Sequence, residues 1–225
     1  MLEITKLNKT KVVFPSIDNA LIEPNGLLAV GGNLNTDTLI NAYKQGIFPW
    51  FNNDEPILWW SPNPRMVLYP DKLHISKSLQ KLVKKNKYQI TINTQFNKLI
   101  TACAEVRADS GTWINSQMID AYNNLHKLGY AHSVEVYTEN KLVGGLYGVT
   151  FGQVFFGESM FSIETNTSKL ALIKLVETLK TKNFKLIDCQ QQTSHLESMG
   201  ACLISRKHFS KLLTKYCTNN NYNKW

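Results

Sequence analysis

Two apolar runs of this 225-residue chain carry polar side chains where a buried strand would hold Val or Ile. One is Phe155-Phe156-Gly157-Glu158-Ser159-Met160-Phe161; the other is Leu186-Ile187-Asp188-Cys189-Gln190. A carboxylate in an apolar strand loses hydration that only a partner charge, a hydrogen-bond network or a cleft can offset. Glu158, Asp188 and Gln190 are therefore candidates for proton handling and for positioning a nucleophile. The alternative is that both carboxylates sit at strand ends and face water, since strand ends in α/β sheets collect polar groups and ligands alike. In a regular strand Asp188 and Gln190 share a face, because positions two apart point the same way.

Metal and disulfide chemistry fit poorly. Cys103, Cys189, Cys202 and Cys217 form no CxxC pair, and His74, His126, His132, His195 and His208 show no HxxxH spacing. No metal site is expected, and the cysteines read as reduced thiols. His132 and His195 could line a cleft, but a lone histidine is more often simply hydrogen-bonded.

The net charge of +8 is localised. Residues 72–87 hold six lysines and no acid, and residues 206–225 hold five basic side chains and no acid, so the remainder sums to about −3. Lys77, Lys81, Lys84 and Lys85 fall at i, i+4, i+7 and i+8, and Ile75, Leu79, Leu82 and Val83 repeat that spacing two residues earlier. Two residues are about 200° of helical turn, so one helix would bury an aliphatic stripe and present a lysine ridge opposite it. With no glutamate along the ridge to pair those lysines, a polyanionic partner is expected over a plain solvated face.

No run approaches the roughly 18 apolar residues of a membrane span, and the N-terminus lacks the order of a signal peptide. A cytoplasmic protein without a membrane partner is expected, and the aliphatic stripes are accounted for by one core, so a monomer is too. Residues 14–64 are rich in turn formers and aromatics, with one clear helix at 36–45 stopped by Gly46. They suggest a small N-terminal domain, 1–63, on a larger one, 64–225. In the larger domain the pattern predicts strand 88–93, helices 95–106 and 116–128, and strands 132–137, 142–149 and 154–161 turning at Glu139-Asn140 and Gly152-Gln153. Helix 168–180 follows behind the cap candidates Asn166 and Thr167, then strand 184–189 and helices 193–199 and 208–216.

Strand, two helices, three-strand meander, helix, strand, helix is the order of the N-acetyltransferase-like acyltransferase fold, an α/β (α+β) class with a mixed sheet. Fold order does not fix function, but it suggests acyl transfer to an amine. Those acetyltransferases hold coenzyme A on a glycine-rich loop at a helix start. Here the equivalent stretch, Ser162-Ile163-Glu164-Thr165-Asn166-Thr167-Ser168, has no glycine and carries a carboxylate, so no coenzyme A and no other cofactor is expected.

Fold order, the missing coenzyme loop and the lysine ridge together point to an acyl donor carried on a nucleic acid, and further motifs agree with it. Glu23-Pro24-Asn25-Gly26-Leu27-Leu28-Ala29, Gly46-Ile47-Phe48-Pro49-Trp50-Phe51, Trp59-Trp60-Ser61-Pro62-Asn63-Pro64-Arg65, Gly111-Thr112-Trp113-Ile114, Gly157-Glu158-Ser159-Met160-Phe161 and Leu186-Ile187-Asp188-Cys189-Gln190 resemble the leucyl/phenylalanyl-tRNA–protein transferases. The resemblance runs from about Phe14 to Lys215. It implies an enzyme that moves Leu or Phe, and also Met, from aminoacyl-tRNA to the α-amine of proteins starting with Lys or Arg, marking them for N-end rule degradation.

In that reading Gln190, oriented by Glu158, places or deprotonates the attacking amine, while Asp188 holds the amine or polarises its neighbour. Glu158 or Asp188 could also recognise the acceptor's cationic side chain. The resemblance places a pocket for the donor side chain around Tyr122, Leu146, Phe155, Leu175 and Ile187, residues that composition alone would assign to ordinary core. Trp50 and Trp113 are candidates for stacking on the terminal adenosine, with Trp59 and Trp60 equally suited to a domain interface. Lys77, Lys81, Lys84 and Lys85 would meet backbone phosphates of the acceptor stem. Two other functions remain open: a related transferase that extends cell-wall precursor peptides from aminoacyl-tRNA, and a noncatalytic tRNA-binding module.

Overall fold

The computed structural model describes residues 4–106 and 113–217. Its elements fall into two sheets. A four-stranded sheet in the order β1-β2-β4-β3 is built from β1 (Thr5–Leu7), β2 (Leu27–Gly31), β3 (Phe48–Pro49) and β4 (Leu58–Trp60), with α1 (Thr36–Lys44) between β2 and β3. None of these strands was expected from the sequence, and at two to five residues each is too short to show a period. Gly46 ends α1 with φ of 75°, as the stop signal predicts.

The second sheet is mixed and has seven strands: β5 (Arg65–Leu68), β6 (Gln89–Ile92), β7 (Ala131–Thr138), β8 (Lys141–Phe151), β9 (Val154–Ser162), β10 (Leu186–Gln190) and β11 (Cys202–Ile204). Their order is β11-β5-β10-β9-β8-β7-β6. β7, β8 and β9 form the expected antiparallel meander. Glu139 and Asn140 both take positive φ in the β7–β8 turn, the conformation that suits a two-residue hairpin. β10 lies parallel to β9, which requires a crossover, and α5 (Thr167–Thr181) supplies it. β5 and β11, which extend the sheet beyond β10, were not expected from the sequence.

α5 covers one face, with Leu170, Leu172, Leu175 and Val176 packed in a cluster with Leu68, Val134, Phe155 and Ile187. α3 (Phe96–Glu105) and α4 (Ser116–Lys127) cover the other, where Leu99, Tyr122 and Leu125 join Tyr147, Phe156 and Leu186. Residues from α1, the small sheet and α7 (Arg206–Tyr216), which follows the short α6 (Ser194–Ser198), enter this same core: Tyr43, Trp59, Phe48 and Phe209 are all buried in it. Trp59 is thus core, its indole donating to Gly31 O at 2.9 Å and its ring edge-on to Phe14.

Asn166 precedes α5 with φ of 70° but makes no side-chain cap bond; Ser162 Oγ accepts from Ser168 N instead. The lysine-bearing helix, α2, spans Lys77–Lys84 behind a Ser76 cap. Its buried stripe is narrower than expected: Leu79 is buried, Ile75 and Leu82 are half-buried, and Val83 is 40% exposed. Val83 lies about 40° round the helix from Leu79, on the side away from Leu82, and so falls at the rim.

Candidate active site

Pairing of β10 with β9 ends where Asp188 faces Phe156. Beyond it β9 stays with β8 as far as Ser162, and β10 stays with β5, so the parallel strands part. The wedge between them opens into a cleft of about 510 Å³. Glu158 and Gln190 stand on its two walls.

Both walls are bulged. Tyr147 pairs with Ser159 and Gly148 with Gly157, so Glu158 is an extra residue that faces no partner on β8. On β10, Asp188 faces Val67 and Gln190 faces Met66, leaving Cys189 extra. A bulge inserts one residue and re-aims the side chains after it. Phe156 and Phe161, an odd number of positions apart, consequently reach the same core. The common face expected for Asp188 and Gln190 therefore needs correction, since it assumed a regular strand and Gln190 instead has φ of 61°.

Gln190 Nε2 donates to Glu158 Oε1 at 3.1 Å, so the two expected partners do meet. Glu158 Oε2 accepts from Tyr122 OH at 2.6 Å, and the Tyr122 and Tyr43 hydroxyls are 2.5 Å apart. With Tyr122 donating to the carboxylate, Tyr43 is left to donate to Tyr122. Loss of hydration pushes the Glu158 carboxyl up to about 7, against the lowering effect of the tyrosine hydrogen bonds, with the Asp188 charge adding a smaller upward push. Burial, and then the Glu158 charge, raises both tyrosines well above their usual value, so both stay protonated donors.

Tyr122 requires a second correction. Fully buried, it does not line the cleft; its ring packs edge-on to Tyr147 and its hydroxyl holds Glu158 from behind. The other four residues expected of a side-chain pocket, Leu146, Phe155, Leu175 and Ile187, do line the cleft together, with Leu172 and Met160 beside them.

A third correction concerns Asp188. Its Oδ1 accepts from Arg65 Nε at 2.8 Å and from Gln190 N at 2.9 Å, and its Oδ2 accepts from Arg65 Nη2 at 2.7 Å. The side chain has no exposed surface. Asp188 borders the cleft, but both of its oxygens are committed within the protein, so the carboxylate is not offered to an incoming amine or an acceptor's cation; it contacts Arg65 and the backbone of Gln190. Arg65 had no expected role, although it closes one of the motifs quoted above; a charge opening a short strand after Pro64 was the available signal.

Trp50 and Trp113 both line the cleft, and Trp50 is 39% exposed. Trp60 supports Trp50, donating to its carbonyl at 2.7 Å with the rings 5.5 Å apart. Gly111 and Thr112, of the motif around Trp113, lie outside the described residues. Lys77, Lys81, Lys84 and Lys85 are exposed, none lines the cleft, and among the described residues none forms an ion pair.

Among the described residues no group of three His, Cys, Asp or Glu side chains gathers to hold a metal, and Cys189, Cys202 and Cys217 are free thiols. Burial drives the Cys189 thiol far up, with the Asp188 charge adding to it, so it carries no thiolate near neutral pH. His195 lines the cleft; burial, and secondarily Lys169, lowers its pKa and keeps the ring neutral. His132 is buried on β7, where loss of hydration lowers it to about 3.

An apolar pocket roofed by a carboxylate–amide pair and flanked by two indoles suits acyl transfer from a donor with an apolar side chain. The family model for leucyl/phenylalanyl-tRNA protein transferase matches residues 67–214, and the model for that family's N-terminal domain matches residues 32–63. A leucyl/phenylalanyl-tRNA–protein transferase from Pseudomonas fluorescens (strain Pf0-1) is 51% identical over 99% of both chains. Its counterpart from Nitrosomonas eutropha is 57% identical over 90% of this chain and 87% of that one. The chain belongs to the leucyl/phenylalanyl-tRNA–protein transferase family and is a transferase. Among the described residues no helix is long and apolar enough to cross a membrane.

Proposed function

We propose that this protein moves leucine, phenylalanine or methionine from aminoacyl-tRNA to the α-amine of a protein that begins with Lys or Arg, feeding N-end rule degradation in the cytoplasm. The observation that carries this reading is the Glu158–Gln190 hydrogen bond at the mouth of an apolar pocket beside two cleft tryptophans. In this reading Leu146, Phe155, Leu175 and Ile187 take the donor's side chain, and Trp50 and Trp113 stack on its terminal adenosine.

The donor ester is already activated, and an α-amine of pKa near 7.7–8.0 is roughly a tenth neutral at pH 7, so the chemistry asks mainly for placement. The amine nitrogen attacks the ester carbonyl carbon and a C–N bond forms. The C–O bond to the terminal ribose then breaks, and the ribose oxygen takes up the proton that the amine loses. Gln190 gives its Nε2 to Glu158, which leaves the amide oxygen to accept from the amine N–H. Asp188 fixes the Gln190 backbone. The acceptor's cationic side chain is drawn to Glu158, the cleft carboxylate without a basic partner among the described residues.

Lys77, Lys81, Lys84 and Lys85 contact acceptor-stem phosphates. The chain works as a monomer of two units, 1–63 and 64–225, with the adenosine platform shared between them. The test is transfer of labelled leucine from leucyl-tRNA to a peptide starting with Arg. Label should appear on that peptide and not on its N-acetylated form; no label on either would overturn the proposal.

A further inference from the structure

Arg65 is a side chain to which the proposed chemistry gives no task, yet it is among the most constrained in the molecule. Only 1% of its side chain is exposed. Its guanidinium carbon lies 4.8 Å from the centre of the Phe48 ring on β3 and 4.7 Å from that of the Phe209 ring on α7, two aromatic contacts that restrain the fork. Nη1 donates to Gly46 O at 3.2 Å, while Nε and Nη2 grip both oxygens of Asp188.

A buried ion pair contributes little stability compared with apolar residues of the same shape, so stability alone does not explain one. What this pair does have is a load. Asp188 Oδ1, held by Arg65 Nε, also accepts from the backbone N–H of Gln190. Gln190 needs that hold. It is the centre of a tight turn in which Gln191 N donates to Cys189 O at 2.8 Å, and its φ of 61° is one that a glutamine rarely adopts. Relaxed to an extended conformation, the residue would carry its amide away from Glu158.

We propose that Arg65 is a positioning residue for the transfer step: its fork orients Asp188, and Asp188 locks Gln190 in the left-handed turn that keeps its amide on Glu158. The inference rests on the role given to Gln190 above. Lysine cannot substitute, because one ammonium offers a point charge where two parallel N–H bonds are needed to fix a carboxylate plane. The donor's nucleoside platform is held separately, since Trp50 N donates to Leu58 O at 3.0 Å and Trp60 braces the Trp50 carbonyl. Loss of the fork therefore slows transfer and spares donor binding.

The experiment measures single-turnover transfer from saturating phenylalanyl-tRNA to an Arg-starting peptide, together with the donor's Kd, for Arg65→Lys, Gln190→Ala and the double variant. The expected result is a rate for Arg65→Lys lower by on the order of 100-fold, with the donor Kd unchanged. In the Gln190→Ala background the same exchange should change the rate by less than about twofold, because the group it positions is gone.

A normal rate for Arg65→Lys, or effects that multiply in the double variant, would overturn the inference. A normal rate for Gln190→Ala alone would overturn the Gln190 assignment and this inference with it. Where thermal melting shows Arg65→Lys unfolded at the assay temperature, the neutral pair Arg65→Gln with Asp188→Asn replaces it, and the same lack of multiplication with Gln190→Ala is expected.

Discussion

Glu158 and Gln190, on strands that part from each other, are joined by a single 3.1 Å hydrogen bond that spans the wedge between them. Gln190→Ala removes the amide without touching the sheet, and Glu158→Ala removes what orients it. Each should lower the single-turnover rate at saturating donor by on the order of 100-fold with little change in donor Kd. Stopped-flow or quench-flow transfer assays check this.

The Glu158 carboxyl, raised to about 7, sets a pH dependence. Ionised, it accepts from both Tyr122 and Gln190; protonated, it gives up an acceptor site and loosens the amide. The transfer rate should therefore rise with pH through about 7, a limb distinct from ionisation of the acceptor amine. Tyr122→Phe removes a donor that lowers this pKa and should move the limb to higher pH. A pH–rate profile with both variants decides the point.

The same shift affects folding with a definite sign. A carboxyl whose pKa is raised in the folded state favours folding below its unfolded value of 4.5 and loses that contribution as pH rises toward 7. Glu158→Gln, which does not titrate, should flatten the fall in stability between these two values. Denaturant melts at pH 4.5, 6 and 7.5 test it.

Leu146, Phe155, Leu175 and Ile187 give the cleft an apolar wall for the donor's side chain, so selectivity there depends chiefly on volume. Leu175→Phe should fill this space and raise the preference for leucyl over phenylalanyl donors by about tenfold. Competition between the two charged tRNAs measures the ratio of their kcat/KM values.

The exposed lysines of α2 give a salt-dependence test. Lys81→Ala, Lys84→Ala and Lys85→Ala together should weaken tRNA binding and reduce the slope of log affinity against log salt by about 2 to 3, if each neutralises one phosphate. An aminoacyl-adenosine fragment, which has no acceptor stem, should bind the variant and the parent alike.

Much of the sheet was legible because the meander and α5 are long enough to show their periods and end in turn residues of the right kind. β3, β4 and β11 were not, because two or three residues carry no period. The wall residues Glu158 and Gln190 were legible as polar interruptions of apolar strands. Their geometry was not, because a bulge leaves no mark in composition and depends on how the neighbouring strand pairs. Tyr122 illustrates the limit: an aromatic among pocket residues looks the same in sequence whether its ring faces the ligand or its hydroxyl braces a carboxylate. Arg65 and Asp188, 123 positions apart, could be connected only in three dimensions.

Because Glu158 is the surplus residue of its bulge, the ladder of β8 and β9 closes on either side of it and asks nothing of the side chain that stands there. The sheet and its chemistry are in this respect separately adjustable. Inactive Glu158 variants should remain intact scaffolds, able to hold a charged donor without consuming it, and the same position is a natural place to graft a different reactive group.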